Sequence, residues 1–221
     1  MHSIDPRAVL VNFTAIILSL TIHEFAHAIV AHKMGDPTPE RYDRLNINPV
    51  TLMKAHPFGA LIIPLIGAMN GFLIGWAATP VNPRLVDRRF TMRQAEFWIS
   101  IAGPLSNLIL AALSAFAYVG LYKASQGSAE SELTPLLHLS SAMVMTNIFL
   151  TLFNMIPVPP FDGFTVLESS APRSLYPVIS FIQERSSIVI LFVFVFGGRI
   201  LSPLIYKIHE LLLQLAVAVI L

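Results

Sequence analysis

Long apolar stretches recur along this sequence, and each of the strong ones is long enough to cross a lipid bilayer. A membrane-spanning helix needs about 20 consecutive, mainly apolar residues. The stretches cover residues 8–31, 58–78, 95–122 and 136–155, followed by a shorter run over 188–198 and a tail over 199–221. We therefore predict an all-α polytopic membrane protein, built as a bundle of about four to six transmembrane helices. Residues 1–221 are expected to form a single membrane-embedded domain. The tail is compatible with a crossing or with an interfacial helix.

The low charge content supports this prediction. Charged residues make up 12% of the chain, against about 25% in a typical soluble domain. The formal net charge is +1 and no basic block is present, so we expect no nucleic-acid partner. The chain has no cysteine, which excludes disulfides and thiolate metal ligands. Any metal site must therefore use nitrogen and oxygen ligands.

The stretch 58–78 is apolar but contains residues that interrupt a helix, namely Gly59, Pro64, Gly67, Asn70, Gly71 and Gly75. The loops on both sides of it carry basic residues, which accumulate on the cytoplasmic side of a membrane. If the stretch enters the membrane and turns back, both loops lie in the cytoplasm; a full crossing would place them on opposite faces. We favour a re-entrant or β-hairpin-like segment, because irregular backbone at membrane depth is tolerated where protein or water surrounds it.

The first apolar stretch ends with the pattern His-Glu-x-x-His, formed by His23, Glu24 and His27. On a helix, residues four apart project from one face, so both imidazoles can bind the same metal ion. Glu24 lies one residue further round the helix, within reach of a water bound to that metal. Ionisable residues inside a membrane are costly and are usually functional. This segment is therefore predicted to bind a metal.

Two histidines are too few for a catalytic zinc site, which usually has three protein ligands. Asp162 is the preferred third ligand, because it follows the broken end of the stretch 136–155 on the same side of the membrane as His27. The proline-rich segment before Asp162 is expected to hold the chain extended. The other candidates are His32, His56, His138 and Glu168. An ordinary surface turn at Asp162 and Gly163 is the alternative reading.

Two asparagines, Asn107 and Asn154, are candidate substrate or oxyanion contacts. An amide donor is well suited to stabilise charge that develops on a carbonyl oxygen. For Asn107 we favour a role in helix packing, because small residues surround it. For Asn154, packing and a substrate contact are both open.

Together these motifs resemble the site-2 protease family of intramembrane zinc metalloproteases, in its compact prokaryotic form. The matching sequences are HEFAH at 23–27, RLNINPVTLMKAHPFG at 44–59, GWAATPVNPR at 75–84, IAGPLSN at 101–107 and NMIPVPPFDG at 154–163. The resemblance implies one zinc ion per chain, with His23, His27 and Asp162 as ligands and Glu24 as the catalytic base. His56 departs from the family pattern, which tends to have aspartate there.

The resemblance further implies an endopeptidase that cuts in or near the transmembrane segment of a membrane protein, as in regulated intramembrane proteolysis. It implies a multi-pass protein of the prokaryotic inner or plasma membrane, with an active site that opens toward the cytoplasm. We expect the substrate to unwind and to pair with a strand edge near 67–75. The alternatives are a catalytically silent metal-binding membrane protein that recruits partners and, with less support, a transporter. The sequence does not indicate an oligomeric state.

Overall fold

Helices make up most of the computed structural model, which describes residues 5–70, 75–125 and 132–220, apart from the side chains of residues 194 and 195. The elements are α1 (Pro6–Lys33), α2 (Thr38–Arg41), α3 (Pro49–Ala55), a π-helical turn (Phe58–Ile62) that continues into α4 (Ile63–Met69), α5 (Met92–Ala124), α6 (Thr134–Asn154), α7 (Asp162–Ser170), a 3-10 turn (Arg173–Leu175), α8 (Tyr176–Glu184) and α9 (Ser186–Ile220). Within the described ranges there is no β-strand.

Among the described residues, four helices are long and apolar enough to cross a membrane: α1, α5, α6 and the part of α9 that covers Phe196–Ile220. A fifth crossing results if Arg173–Glu184 and Ser186–Val193, which meet at a bend of 71°, count as one broken span. The predicted all-α bundle of about four to six spans is therefore confirmed. The tail belongs to the long helix α9, which continues through Pro203.

Polar caps explain why two of these spans begin earlier than the apolar stretches do. The Asp5 side chain accepts a hydrogen bond from the N–H of Arg7, and Pro6 occupies the first position of α1. The side chains of Thr91 and Gln94 form a reciprocal capping box at the start of α5. Both helices therefore start two or three residues before the predicted positions 8 and 95.

The core of the bundle lies where α5 packs against α1, α6 and α9. Small and branched side chains fill its contact with α6 and α9, namely Ala111, Ala115, Val119, Val144, Ile148, Ile205 and Ala216. The opposite face of α5 points outward, where Leu105, Ile109 and Leu113 are 50%, 54% and 60% exposed. These three residues follow one another at a spacing of four, so they form an apolar stripe suited to contact with lipid.

Contacts between helix ends establish which ends lie together. The N–H of Asp87 donates to the carbonyl of Met34, which places the end of α1 near the beginning of α5. Arg93, at the start of α5, donates to the carbonyl of Ser169 at the end of α7 at 2.9 Å. Lys123, at the other end of α5, donates to a carbonyl in the last turn of α9. We call the end that contains residues 34–57, 78–91 and 155–185 the loop-rich end.

The segment after α3 enters the fold as a helix and then turns back. Its helical part, Phe58–Met69, is shorter than a membrane crossing requires. The chain returns beside its own start, because the N–H of Trp76 donates to the carbonyl of Gly59 at 2.8 Å. A methyl group on Gly59 would overlap the carbonyl oxygen of Trp76, so this approach requires glycine. We call residues 75–84 the return segment.

The strand edge predicted near 67–75 falls largely on residues 71–74, which lie outside the described residues, so it stays a prediction; residues 67–69 are the end of α4. A second prediction, about the proline-rich segment, is wrong. The proline-rich segment was expected to be extended, but residues 155–161 form successive turns. In one of them the N–H of Phe161 donates to the carbonyl of Val158 at 3.0 Å. Prolines pre-set the backbone for turns and supply no N–H for pairing with a strand.

Candidate metal centre

Three side chains meet at the end of α1 nearest the loop-rich end. The Nε2 atoms of His23 and His27 lie 3.0 Å apart. The Oδ2 atom of Asp162 lies 3.2 Å from His23 Nε2 and 3.4 Å from His27 Nε2. Both histidines are buried, and the side chain of Asp162 is 20% exposed. The structure thus brings together the three residues that the sequence predicted as metal ligands.

The local fold explains how residues 135 positions apart come to meet. His23 and His27 lie one turn apart on the same face of α1. Asp162 is the first residue of α7, which begins after the turns that follow α6. Gly163 allows this placement, because a methyl group on it would overlap the backbone of Met155. The glycine next to Asp162 therefore lets the start of α7 lie directly against the end of α6.

Both histidines are oriented by a second hydrogen bond on the far side of the ring. His23 Nδ1 lies 2.6 Å from Asn107 Oδ1, and His27 Nδ1 lies 2.6 Å from the carbonyl oxygen of Ile99. The carbonyl of Ile99 can only accept a hydrogen bond, so His27 Nδ1 carries a proton. Asn107 presents its oxygen to His23 in the same way. In neutral imidazoles the two Nε2 atoms therefore point lone pairs at each other and at Asp162, as metal ligands require.

This donor set matches a cation. Two imidazole lone pairs and a carboxylate oxygen converge within 3.4 Å, and none of the three atoms has a proton to donate to the others. Asp162 Oδ2 is buried and has no hydrogen-bond partner. A buried acceptor without a partner is unfavourable. Zinc binds nitrogen and oxygen ligands of this kind in three-ligand catalytic sites, so the residues present fit a zinc ion.

The helix α5 is shaped to receive the histidine pair. A methyl group built on Gly103 would overlap His27 Nε2 and would lie 2.6 Å from His23 Cε1. Pro104 follows, and because proline has no N–H, the carbonyl of Ser100, four residues earlier, has no helical donor there. The carbonyl of Ile99, which His27 contacts, lies one residue before it. The sequence IAGPLSN therefore provides space for both imidazoles through Gly103 and a polar partner for His23 through Asn107.

Behind His23 lies a fully buried polar network. Asn107 donates to Asn147 Oδ1 at 2.7 Å, and Asn147 donates to Ser19 Oγ at 2.9 Å. Asn107, Asn147 and Ser19 are each 0% exposed. The network joins α1, α5 and α6, so the orientation of the His23 ring is tied to the packing of three helices. Asn107 thus contacts a histidine and is fully buried, and its contact with a substrate stays a prediction.

Glu24 is 6% exposed and is bound by a residue of the return segment. The hydroxyl of Thr79 lies 2.7 Å from Glu24 Oε2 and 3.0 Å from the backbone carbonyl of Glu24. A small pocket opens beside Glu24, and its wall combines polar residues such as Asp43, Arg44 and Asn48 with Phe25 and Leu52. The carboxylate therefore lies between the metal-binding face of α1 and a small opening toward the loop-rich end.

Two further residues from the sequence analysis have defined positions. Asn154 is the last residue of α6, where its amide donates to the carbonyl of Leu150 at 2.9 Å. His56 joins the loop before α4 to the return segment, since its Nε2 lies 2.8 Å from the carbonyl oxygen of Ala78. The same nitrogen lies 3.3 Å from a guanidinium nitrogen of Arg44. His56 thus contacts the return segment and is not part of the metal cluster.

Sequence reasoning did not assign roles to Thr79 or Asn147, and it treated Gly103 only as a small residue for packing. Asn147 did carry a signal, because it is an amide within an apolar stretch, like Asn107. Thr79 lies within the motif GWAATPVNPR but is 55 residues from Glu24. No local pattern links two positions at that separation.

Comparisons with known proteins agree with this chemistry. Residues 118–198 match the family model described as peptidase family M50. A protein of Bacillus subtilis (strain 168) named "Putative zinc metalloprotease YwhC" is 35% identical over 92% of this chain and 90% of its own length. A Mycolicibacterium smegmatis protein named "Putative zinc metalloprotease Rip2" is 34% identical over 69% of this chain and 54% of its own length. No solved structure matches the chain.

Proposed function

Since this chain belongs to peptidase family M50 and is a zinc metalloprotease, we propose that it cuts membrane proteins within or beside their transmembrane segments. The observation that carries the proposal is the position of the His23, His27 and Asp162 cluster inside a bundle of apolar helices. A peptidase whose metal site lies among membrane-spanning helices is placed to meet substrates that are themselves in the membrane.

The residues of the site divide the chemistry between them. His23, His27 and Asp162 would hold the zinc ion. When bound in such a site, zinc lowers the pKa of a water to about 7 and polarises the carbonyl under attack. Glu24, directly after His23, accepts the proton of the attacking water and delivers it to the departing amine. His23, His27 and Glu24 are buried, which strengthens these electrostatic interactions.

The distribution of basic residues supports an orientation with the loop-rich end in the cytoplasm. That end carries Arg41, Arg44, Lys54, Arg84, Arg88, Arg89, Arg173 and Arg185, whereas the opposite end carries Arg7 and Lys123. Lysine and arginine accumulate on the cytoplasmic side of membrane proteins. His27 is six residues from the end of α1, about 9 Å along the helix. A polar opening of that depth would bring cytoplasmic water to the site.

The substrate expected for this site is a transmembrane helix that unwinds near its cytoplasmic end. A helical peptide bond is shielded, because its N–H and C=O groups are already hydrogen-bonded. Glycine, proline and asparagine near the cut lower the free energy of unwinding. We therefore propose regulated cleavage of single-span proteins in the inner or plasma membrane of a prokaryotic cell.

The test uses purified protein reconstituted with a panel of single-span test proteins that differ in glycine and proline content near the cytoplasmic end of the span. We expect cleavage inside or beside the span, faster for the helix-breaking members. The matched control is Glu24→Gln, which should keep its zinc and leave all members intact.

Two results would contradict the proposal. If wild type and Glu24→Gln both bind the test proteins but cut none, the chain is a silent metal-binding protein that recruits partners. If only unfolded soluble casein is cut, the protein is a peptidase but not an intramembrane one. The presence of Glu24 favours catalysis, since binding a metal does not require a glutamate at that position.

A further inference from the structure

We propose that Thr79 is a positioning residue for Glu24, and that the return segment thereby sets the reactivity of the site without taking part in metal binding. The inference rests on the proposed role of Glu24 as the proton acceptor. The observation behind it is the hydrogen bond of 2.7 Å from the Thr79 hydroxyl to Glu24 Oε2.

The geometry leaves Glu24 one carboxylate oxygen for catalysis. Thr79 binds Oε2 and also lies 3.0 Å from the backbone carbonyl of the same residue. Because the Thr79 hydroxyl contacts both the side chain and the backbone of Glu24, the Glu24 side chain cannot rotate freely. Its other oxygen, Oε1, then keeps a fixed direction. A proton acceptor must be held within hydrogen-bond reach of the reacting water, because small misplacements are costly in rate.

Thr79 can do this because the return segment is fixed on both sides of it. Before Thr79, the N–H of Trp76 donates to Gly59 and the carbonyl of Ala78 contacts His56, both at 2.8 Å. After Thr79, the N–H of Asn82 donates to Asp36 Oδ2 at 2.6 Å. Asp36 is 0% exposed and lies three residues after the end of α1.

These contacts place the return segment alongside α1 over its last turns. A methyl group on Gly75 would lie 2.6 Å from Leu20 Cδ1, Thr79 contacts Glu24, and Asn82 contacts Asp36. The contact points advance in the same order along both parts of the chain. The hydroxyl of Thr79 is therefore directed at Glu24 by the path of the whole segment.

The side of the segment away from α1 is open. Trp76 is 65% exposed, and Ala78 is also exposed, whereas the neighbouring Ala77 and Thr79 are partly buried. This alternation is that of an extended chain with one face on α1 and one face free. A substrate strand that binds the free face would contact the same segment that holds Glu24. Substrate binding to the return segment would therefore affect the position of Glu24.

The test compares Thr79→Val, which removes the hydroxyl at nearly constant volume, with Thr79→Ser, which keeps it. We expect Thr79→Val to lower kcat by about 10- to 100-fold, as is typical for loss of a group that orients a reactive residue. KM and zinc content should stay at the wild-type level. Thr79→Ser should restore kcat, and Thr79→Ala should resemble Thr79→Val, which covers the case in which valine disturbs folding.

A second readout does not depend on cleavage. A peptide hydroxamate binds an active-site zinc and hydrogen-bonds to the neighbouring glutamate, so Thr79→Val should weaken its binding while Thr79→Ser should not. The inference is overturned if Thr79→Val and Thr79→Ala behave like wild type in both assays, if KM rises while kcat is unchanged, or if zinc is lost. Failure of the proposed function looks different, because wild type then cuts no test protein while the hydroxamate still reports on Thr79.

Discussion

The two functions of the site are supported by different kinds of structure. The metal ligands His23 and His27 are oriented by atoms of α5, and the partner of His23 belongs to a network that is 0% exposed. Glu24 is oriented by Thr79, from a segment without regular secondary structure that is half open to its surroundings. The difference indicates that metal binding is fixed by the packed bundle, whereas the position of the base depends on a segment that can respond to a substrate. Variants on the metal side should therefore lose zinc, and variants on the base side should keep it.

The largest effect is expected from Asp162→Ala, which removes one of the three ligands. Two histidines alone are too few for a stable catalytic zinc site, so the purified variant should contain little zinc and have no activity. The matched control is Glu168→Gln on the same helix, whose side chain is exposed and outside the cluster. The measurement is the zinc content of the two purified variants. If Asp162→Ala keeps its zinc, Asp162 is not a metal ligand.

A large effect is also expected from Gly103→Ala, although glycine itself binds nothing. The added methyl group would occupy the space of His27 Nε2, so the imidazole must move away from its ligand position. Zinc content should fall strongly. Gly120→Ala on the same helix is the control, because a methyl group there meets no atom within 4 Å. Equal zinc content in the two alanine variants would contradict the proposed fit between α5 and the histidine pair.

A smaller effect on zinc binding is expected from Asn107→Leu, which removes the acceptor for His23 Nδ1. Loss of such an outer partner typically weakens metal binding by about 10- to 100-fold. Competition with a zinc chelator measures this affinity. Ser106→Ala, at the neighbouring position, should behave like wild type, because its hydroxyl donates to the carbonyl of Gly103 within α5 itself. If Asn107→Leu also matches wild type, the buried network contributes to packing alone.

The smallest of these effects, and one of a different kind, is expected from Gly59→Ala. The added methyl group would push against the carbonyl of Trp76 and shift the return segment. We expect the cleavage rate to fall by about tenfold, the cost of a modest displacement of a catalytic group, while zinc content is unchanged. The comparison with Gly103→Ala is direct, since both variants add one methyl group. Zinc loss in Gly59→Ala would mean that the return segment also supports metal binding.

The metal side was largely predictable from the sequence because its geometry is local. His23, Glu24 and His27 lie within one turn of a helix, so helical periodicity alone places them together. Asp162 was found because zinc chemistry demands a third nitrogen or oxygen ligand. Its exact route to the site was not found: prolines next to each other are compatible with an extended chain and with turns, and the structure contains turns.

The supporting residues were not predictable because their roles depend on distant contacts. An intramembrane asparagine such as Asn107 is equally suited to packing and to holding a ligand, and the choice depends on His23, 84 positions away. Gly103 reads as a small residue in any sequence, and only the structure places an imidazole against it. Thr79 carries no ionisable group, so its residue type gave no indication of a role in the site.

The most direct test of the metal site is X-ray absorption at the zinc edge of the purified membrane protein. We expect one zinc per chain, with two imidazole nitrogens at about 2.0–2.1 Å and a carboxylate oxygen at about 2.0–2.2 Å. The imidazole scattering should be lost together with the metal in His27→Ala. A zinc shell without imidazole scattering, or one that is unchanged in His27→Ala, would contradict the assignment of His23, His27 and Asp162 as the metal site.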